Sequence, residues 1–182
     1  MKKKVLAITS LLVFVISACA NFAGNRSSGR ELMNAYENVL EKEKVKETVN
    51  RLFISTDNRD WSEVSSLFAS EVLFDMTSMV GGDPVTLTPQ EIVTSWEKGL
   101  KPLKAIHHQA GNYIVSINQN EAEVFCYGIA SHYLPNKSNQ NTRTFVGSYD
   151  FHLIKNDERW QIDKFKFNLK YIDGNLKLEA SE

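Results

Sequence analysis

The segment Arg159–Tyr171 reads RWQIDKFKFNLKY, and its alternation decides the fold class. Phe165, Phe167 and Leu169 fall on one side of an extended chain, and lysine or asparagine residues separate and follow them. Because successive side chains of a strand point to opposite faces, this period of two predicts a strand with one buried and one solvated face. A strand of this kind is typical of an antiparallel sheet that is covered on one side only.

Upstream of this segment the chain contains further runs of strand character. Three long runs are rich in Val, Ile, Phe and Tyr and are separated by turn-forming clusters; they are Ala105–Ile117, Ala122–Leu134 and Thr142–Ile154. A shorter run, Val72–Thr77, predicts one more strand ahead of them. The sequence therefore predicts four long strands and a short one.

The N-terminal half is predicted to be helical. Residues Glu31–Asn58 carry an apolar stripe at spacings of three and four. Asp60 is the predicted N-cap of a short second helix, and Thr88 that of a third, which runs to about Lys101. Because helices come first and strands second, we expect an α+β fold. The specific prediction is a cone-shaped, strongly curved antiparallel sheet covered by three N-terminal helices.

The first residues indicate export. Lysines at positions 2–4 precede the apolar run Val5–Ile16, and small residues then lead to Cys19. This arrangement resembles the signal sequence of bacterial lipoproteins, which implies cleavage before the cysteine and attachment of lipid to it. We therefore predict a signal peptide over residues 1–18, lipidation of Cys19 and a lipid-anchored position in the bacterial cell envelope. An ordinary signal peptide and an uncleaved anchor helix are the alternatives.

The rest of the chain is predicted to form one domain. Residues 19–30 are small and polar, which suits a flexible tether, and a folded domain follows over residues 31–174 with a C-terminal tail over 175–182. The formal net charge of the whole chain is −1. Loss of the three lysines at the N-terminus makes the charge −4, without a basic stripe, so we do not expect a nucleic acid partner. Cys126 is the one cysteine besides Cys19, so we expect no intramolecular disulfide.

Several motifs together resemble one superfamily. The motifs are Asp57-Asn58-Arg59-Asp60-Trp61 at the junction of the first two helices, His108-Gln109-Ala110-Gly111-Asn112 in the first long strand, and Trp160 in the last strand. With the order of helices and strands, they make the chain similar to the SnoaL-like branch of the nuclear transport factor 2-like superfamily, from about Lys44 to Tyr171. The resemblance implies a pocket inside the cone and the ability to dimerise through the sheet face.

The resemblance to scytalone dehydratase-like members of this superfamily implies three catalytic residues. Asp57 matches their aspartate, His108 matches their first histidine, and His132 matches the second after a shift of two residues along the strand, which preserves its face. The chain departs from the pattern at Thr56 and Met76, where those enzymes have tyrosines.

Four further residues are candidates for substrate binding. Ser148 matches a serine of the same enzymes, and Asp150 stands where they have an asparagine. Asn112 closes the His108 motif, and Tyr127 would present a hydroxyl group if its strand turned that face inward. For Tyr127, aromatic filling of the cone is the alternative interpretation.

A histidine beside a carboxylate is suited to moving a proton, because an imidazole with an unperturbed pKa of about 6.5 acts as base or acid near neutral pH. If His108 contacted Asp57 or Asp150, the pair would abstract a proton next to a carbonyl group, and His132 would protonate a leaving hydroxyl group. This is lyase or isomerase chemistry, which needs neither a metal ion nor a cofactor. The alternative for each histidine is an ordinary core or surface position.

Three functions therefore stay open. The first is an envelope-anchored binding module that captures a small apolar or amphipathic molecule in its pocket. The second is a cofactor-independent lyase or isomerase, and the third is a dimeric interaction protein with a filled cone. A cavity on the order of a few hundred Å³ would exclude the filled cone. A contact between histidine and carboxylate within about 3.2 Å would favour the enzyme.

Overall fold

The longest helix, α1, runs from Lys2 to Asn58. The structure is a computed structural model that describes the backbone of residues 2–180 and the side chains of residues 28–180. The chain divides into two compact units, Met1–Glu41 and Lys42–Glu182, and the described residues of the first unit are all helical. Among the described residues, no helix is long and apolar enough to cross a membrane.

The helix α1 includes residues 19–30, for which the sequence predicts an irregular tether. The stretch contains no proline, the residue that most strongly breaks a helix, so the helix continues through it without a break. The side chain of Cys19 lies outside the described side chains. Cleavage after residue 18, lipidation of Cys19 and the domain boundaries therefore stay predictions.

The second unit contains three further helices and six strands. The helices are α2 (Trp61–Ser66), α3 (Thr77–Val80) and α4 (Pro89–Leu100); the strands are β1 (Phe68–Asp75), β2 (Val85–Leu87), β3 (Ala105–Asn118), β4 (Glu121–Tyr133), β5 (Thr142–Asn156) and β6 (Arg159–Gly174). The strands form one sheet in the order β2-β1-β6-β5-β4-β3, which is curved and does not close. The predicted α+β class and the four long strands are confirmed.

Two details of the predicted sheet are wrong. The sheet has six strands rather than five, because β2 adds to the edge of β1. The sheet is also mixed, because β1 pairs with β6 in parallel, with Phe74 opposite Phe165. Neither detail leaves a sequence signal, because three residues are too few to show alternation and because β1 and β6 lie far apart in the chain. The one-turn helix α3 is a further element that the sequence does not predict.

The starts of the helices follow the predicted capping residues. The Oδ1 atom of Asp60 accepts a hydrogen bond from the backbone N–H of Glu63 at 3.1 Å, which caps α2. A full capping box would also need the Glu63 side chain on the backbone N–H of Asp60, but that N–H donates to the carbonyl of Ser55 and the Glu63 side chain pairs with Arg51 on α1. Both halves are present at α4, where Thr88 and Glu91 cap each other.

The core lies between one face of α1 and the inner face of the sheet. Fully buried side chains of α1 (Val45, Val49 and Leu52) belong to the same apolar cluster as Leu153 of β5 and Ile162 of β6. Cys126 on β4 is buried in this cluster, and burial raises the pKa of its thiol to about 12. The thiol is therefore protonated at neutral pH, which agrees with a packing role.

The C-terminal segment is packed rather than a loose tail. A final 3-10 turn, Leu178–Ala180, follows β6, and the Leu178 side chain is fully buried in a small apolar cluster with Leu103 and Ile106. This packing holds the adjacent Glu179 next to the first residues of β5.

Candidate functional site

A cavity of about 270 Å³ lies between the inner face of the sheet and the helices α1, α3 and α4. It is lined by Phe53, Thr56, Met76, Met79, Ser95, Trp96, Gly99, Leu100, His108, Ala130, His132, Arg143, Phe145, Tyr149, Phe165 and Phe167. Its volume is close to the lower end of the range of about 300–1,000 Å³ typical of small-molecule sites. The cone is therefore not filled by its own side chains.

Asp57 and His108 form a close polar contact at the wall of this cavity. The Nδ1 atom of His108 lies 2.6 Å from Oδ1 of Asp57, and the backbone N–H of His108 donates to Oδ2 at 2.8 Å. Both carboxylate oxygens thus bind one residue, which fixes the orientation of the imidazole ring. The side chain of His108 is 13% exposed, and that of Asp57 is 16% exposed. The predicted pairing of His108 with Asp57 is present in the structure.

Local sequence explains how the two groups meet. Phe53 and Asp57 are four residues apart in α1 and so lie on the same side of the helix. The ring of Phe53 stacks on the ring of His108 at 5.3 Å between centroids. Alternation along β3 turns His108 inward and His107 outward, where the side chain of His107 is 75% exposed. The sequence alone does not decide between the two histidines.

His132, the second predicted histidine, lines the same cavity from β4. Burial, with further electrostatic contributions from Arg143 and His108, lowers the pKa of His132 to about 4. Its ring packs edge-on against Phe145 at 5.1 Å. At pH 7 only on the order of one His132 in a thousand carries a charge. This does not support the predicted role of His132 as the acid that protonates a leaving group.

Arg143 on β5 lines the cavity and is not among the residues predicted from the sequence. Its guanidinium group binds both carboxylate oxygens of Glu179, with Nη1 and Oε2 2.8 Å apart. Within the part of the chain that the structure describes, its Nε atom is buried without a hydrogen-bond partner. A buried unpaired donor costs about 1–3 kcal/mol, so this arginine is not explained by stability alone. A signal was present, because Arg143 shares its strand face with the apolar residues Phe145 and Tyr149.

Ser148 and Asp150 do not line the cavity, and their predicted placement in the pocket is wrong. They lie one residue out of phase with Tyr149, which faces inward, so their side chains point to the outer face of the sheet. The carboxylate of Asp150 accepts a hydrogen bond from the side-chain amide of Asn168 at 2.6 Å. The alternative pairing of His108 with Asp150 is therefore not formed.

Asn112 and Tyr127 are also placed outside the cavity lining. Asn112 adopts a left-handed conformation with φ of 57° at the irregularity between Gly111 and Ile114 in β3. Tyr127 is 44% exposed on the outer face of the sheet, where the amino group of Lys170 lies 4.0 Å from the ring centroid. Alternation along β4 directs Tyr127 outward, and neither residue is placed to contact a ligand in the cavity.

The remaining polar groups of the cavity are few. The hydroxyl group of Thr56 donates to the backbone carbonyl of Leu52 at 2.7 Å, so it serves its own helix. Burial raises the pKa of Tyr149, which keeps its hydroxyl group neutral. Among the described side chains, no group of three or more His, Cys, Asp or Glu residues is arranged to hold a metal ion. The polar chemistry of the cavity is thus concentrated in His108 with Asp57 and in His132 with Arg143.

Solved structures support the fold. A structure of the Kfla4162 protein from Kribbella flavida superposes with a TM-score of 0.74 at 18% identity, covering 79% of this chain and 99% of that chain. A candidate scytalone dehydratase from Novosphingobium aromaticivorans gives 0.65 at 16%, covering 76% and 89%. The hexachlorocyclohexane dehydrochlorinase LinA-type3 from Novosphingobium barchaimii gives 0.64 at 11%, covering 78% and 94%.

The sequence itself identifies the family. A comparison with curated proteins gives no match. The profile of the SnoaL-like domain matches residues 37–166, which is most of the chain and includes α2, β1, the histidines of β3 and β4, and all of β5. This match agrees with the curved sheet, the cavity and the superposed structures. The chain belongs to the SnoaL-like domain family.

Proposed function

We propose that the domain is a lyase or isomerase whose reaction begins with proton abstraction by His108. The observation that carries this proposal is the 2.6 Å contact between Nδ1 of His108 and Oδ1 of Asp57 at the wall of a mostly apolar cavity. Because the carboxylate accepts the Nδ1 proton, the neutral ring keeps a lone pair on Nε2 for a substrate proton. Asp57 orients the ring and stabilises the imidazolium that forms.

The proposed step is balanced without a further reactant. Nε2 of His108 takes a proton from the carbon next to a carbonyl group, and the electrons of that C–H bond form a carbon–carbon double bond. The bond to a leaving group on the next carbon breaks, and the leaving group departs with the electron pair. Chloride leaves as the anion, whereas hydroxide takes the proton back from His108 and leaves as water. Without a leaving group, return of the proton to another carbon completes an isomerisation.

Two of the superposed proteins are named as a dehydratase and a dehydrochlorinase. Proteins of this fold commonly bind small molecules or act as lyases and isomerases. Our proposal extends the elimination of water or hydrogen chloride to this chain as a reaction class, without a specific substrate.

A second candidate function is capture of a small apolar or amphipathic molecule without chemical change. The aromatic lining supports it, since Phe53, Trp96 and Phe145 offer wide apolar contact surfaces inside the cavity. The contact between His108 and Asp57 favours the enzyme over this alternative, because a carboxylate fixed on a histidine is not needed to hold an apolar molecule.

Ring ketones test the enzyme. We expect the wild-type protein to accelerate the conversion of 3-chlorocyclohexanone and 3-hydroxycyclohexanone to cyclohex-2-enone, measured by absorbance, and the exchange of the α-protons of cyclohexanone in D₂O, measured by NMR. His108→Gln should lose this acceleration, whereas His152→Gln, changed at a histidine of β5 that lies outside the cavity lining and pairs with Asp163, should keep it. If cyclohexanone binds but none of the three probes reacts faster than in buffer, the proposed lyase or isomerase activity is contradicted and the binding function is supported.

We also propose that the protein is anchored to the bacterial cell envelope through lipid on Cys19. The lysine-rich start, the apolar run and the cysteine support it, and several acyl chains would together hold the protein firmly on a membrane. Cys19→Ser should move the protein from the membrane fraction to the soluble fraction of the expressing bacterium and abolish incorporation of labelled palmitate. Cys126→Ser is the matched control and should change neither. Unchanged membrane fractionation of Cys19→Ser would contradict the anchor.

SnoaL-like folds often form dimers. A homodimer through the outer sheet face is our proposal for a protein partner. Ile114, Tyr127 and Ile129 support it, because these apolar side chains are exposed on that face.

A further inference from the structure

Two nitrogen-bearing side chains, His132 and Arg143, form one polar wall of the cavity. They lie opposite each other on the paired strands β4 and β5. Nη2 of Arg143 lies 3.4 Å from Nδ1 of His132, and the same nitrogen and Nη1 both donate to the carboxylate of Glu179. The wall is therefore a chain of three groups that begins at the C-terminal segment and ends at the imidazole ring.

The contact between Arg143 and His132 fixes the position of one proton. A guanidinium group only donates hydrogen bonds, so Nδ1 of His132 must be the acceptor and carries no hydrogen. In a neutral ring the hydrogen then sits on Nε2. His132 consequently presents an N–H donor, whereas His108, with Asp57 on its Nδ1, presents an acceptor. The two histidines of one cavity thus have opposite tautomers and complementary tasks.

Glu179 determines which kind of ligand suits this wall. Its carboxylate already compensates the charge of Arg143 through two hydrogen bonds. A second anion beside this ion pair would meet Glu179 and Asp57 in a mostly apolar cavity, which is unfavourable. A neutral molecule with a carbonyl oxygen is not repelled by Glu179 and Asp57, and its oxygen can accept a hydrogen bond from the N–H of His132.

We infer that Arg143, held by Glu179, is a positioning residue that keeps His132 as an Nε2–H donor to the carbonyl oxygen of a neutral, largely apolar substrate. This inference rests on the proposed function and names the substrate class for the same site. When His108 removes the neighbouring proton, negative charge develops on the carbonyl oxygen, and the donor binds that oxygen more strongly than before. A neutral imidazole donor also holds the enolate without transferring a second proton to it.

The tautomer of His132 provides a test that needs no substrate. Long-range ¹H–¹⁵N NMR of the full chain at pH 7 should show His132 with a bare Nδ1 and a protonated Nε2. In Arg143→Met the Nδ1 signal should move toward the protonated position, because the donor that holds this tautomer is gone. Arg143→Lys, which keeps one donor and the charge, should largely restore the wild-type signal. A protonated Nδ1 in the wild-type protein would overturn the inference.

Binding of a matched pair of probes tests the donor itself. Cyclohexanone and methylenecyclohexane have the same shape, but only the ketone accepts a hydrogen bond. We expect Arg143→Met and His132→Phe each to weaken ketone binding by about tenfold relative to the hydrocarbon. The infrared C=O band of bound cyclohexanone, shifted to lower frequency by the wild-type protein, should move back in both variants. Cyclohexanecarboxylate should bind more weakly than cyclohexanone.

The outcomes separate this inference from the proposed function. If His132→Phe keeps the ketone preference and the shifted C=O band, the inference is overturned, because another group then binds the oxygen. Tighter binding of cyclohexanecarboxylate would overturn it as well, because Arg143 would then be an anion site. His108→Gln should lose turnover yet keep the tautomer and the shifted band. A wild-type protein that shows both spectroscopic signatures without turnover would contradict only the proposed reaction.

Discussion

Asp57→Asn is expected to lower the turnover of the ring-ketone probes by about 10²–10⁴-fold. In the wild-type protein one carboxylate oxygen binds Nδ1 of His108 and the other binds the backbone N–H of the same residue. An amide has one oxygen only. If that oxygen keeps the backbone N–H, the amide NH₂ group faces Nδ1 and the ring must move its proton to Nε2, where the base is needed. The measurement is kcat for cyclohexenone formation in both proteins.

Asp60→Asn is the matched control for this prediction. Asp60 caps α2 three residues further on, and asparagine is an equally good N-cap, so both activity and melting temperature should be retained. Asp57→Asn should also melt within a few degrees of the wild type, since the residue lies at the end of α1 rather than in the apolar core. An unchanged kcat in a folded Asp57→Asn protein would contradict the proposal that Asp57 orients His108 as the base.

The strand pattern of the sequence predicts most of the fold but only part of the cavity. Apolar residues at every second position fix the four long strands, because one buried face per strand is a strong constraint. The same pattern assigns each polar residue to a face, and here the phase of β5 matters. If Ser148 and Asp150 are taken as inward residues instead of Phe145 and Tyr149, the two faces of β5 are exchanged. The same error of one residue places Arg143 on the outer face, so the sequence does not predict it as a residue of the cavity.

Other parts of the site have no sequence signal of their own. Asp57 and His108 lie 51 residues apart, and the resemblance to a known family, rather than periodicity, predicts their contact. Glu179 follows the last strand in a segment without periodicity, and its place is set by burial of Leu178 against a distant part of the chain. The pKa of His132 likewise depends on tertiary burial and on Arg143, which a linear pattern does not show.

His132 is also expected to make the protein lose stability in mild acid. In the unfolded chain its pKa is the ordinary 6.5, whereas in the folded protein it is about 4. Between these values the unfolded chain binds more protons, so the stabilisation is complete above pH 6.5 and is lost as pH falls through 4. One pKa unit corresponds to about 1.4 kcal/mol, and partial exposure of the ring reduces the effect. We therefore expect the free energy of unfolding to fall by about 2 kcal/mol on account of His132. Urea unfolding of wild type and His132→Asn from pH 7 to pH 4 measures this difference.

The groups around His132 agree with the assignment of this loss of stability in mild acid to His132. Burial lowers its pKa most, Arg143 and His108 lower it further, and Glu179 and Asp57 raise it by less, so the pKa stays low. Burial works to raise the pKa of Glu179, but the hydrogen bonds from Arg143 outweigh it and hold that pKa below its ordinary value. His132→Asn should therefore flatten the decline in the free energy of unfolding. Equal slopes for His132→Asn and wild type would show that the folded protein accepts a proton on His132 as readily as the unfolded chain does.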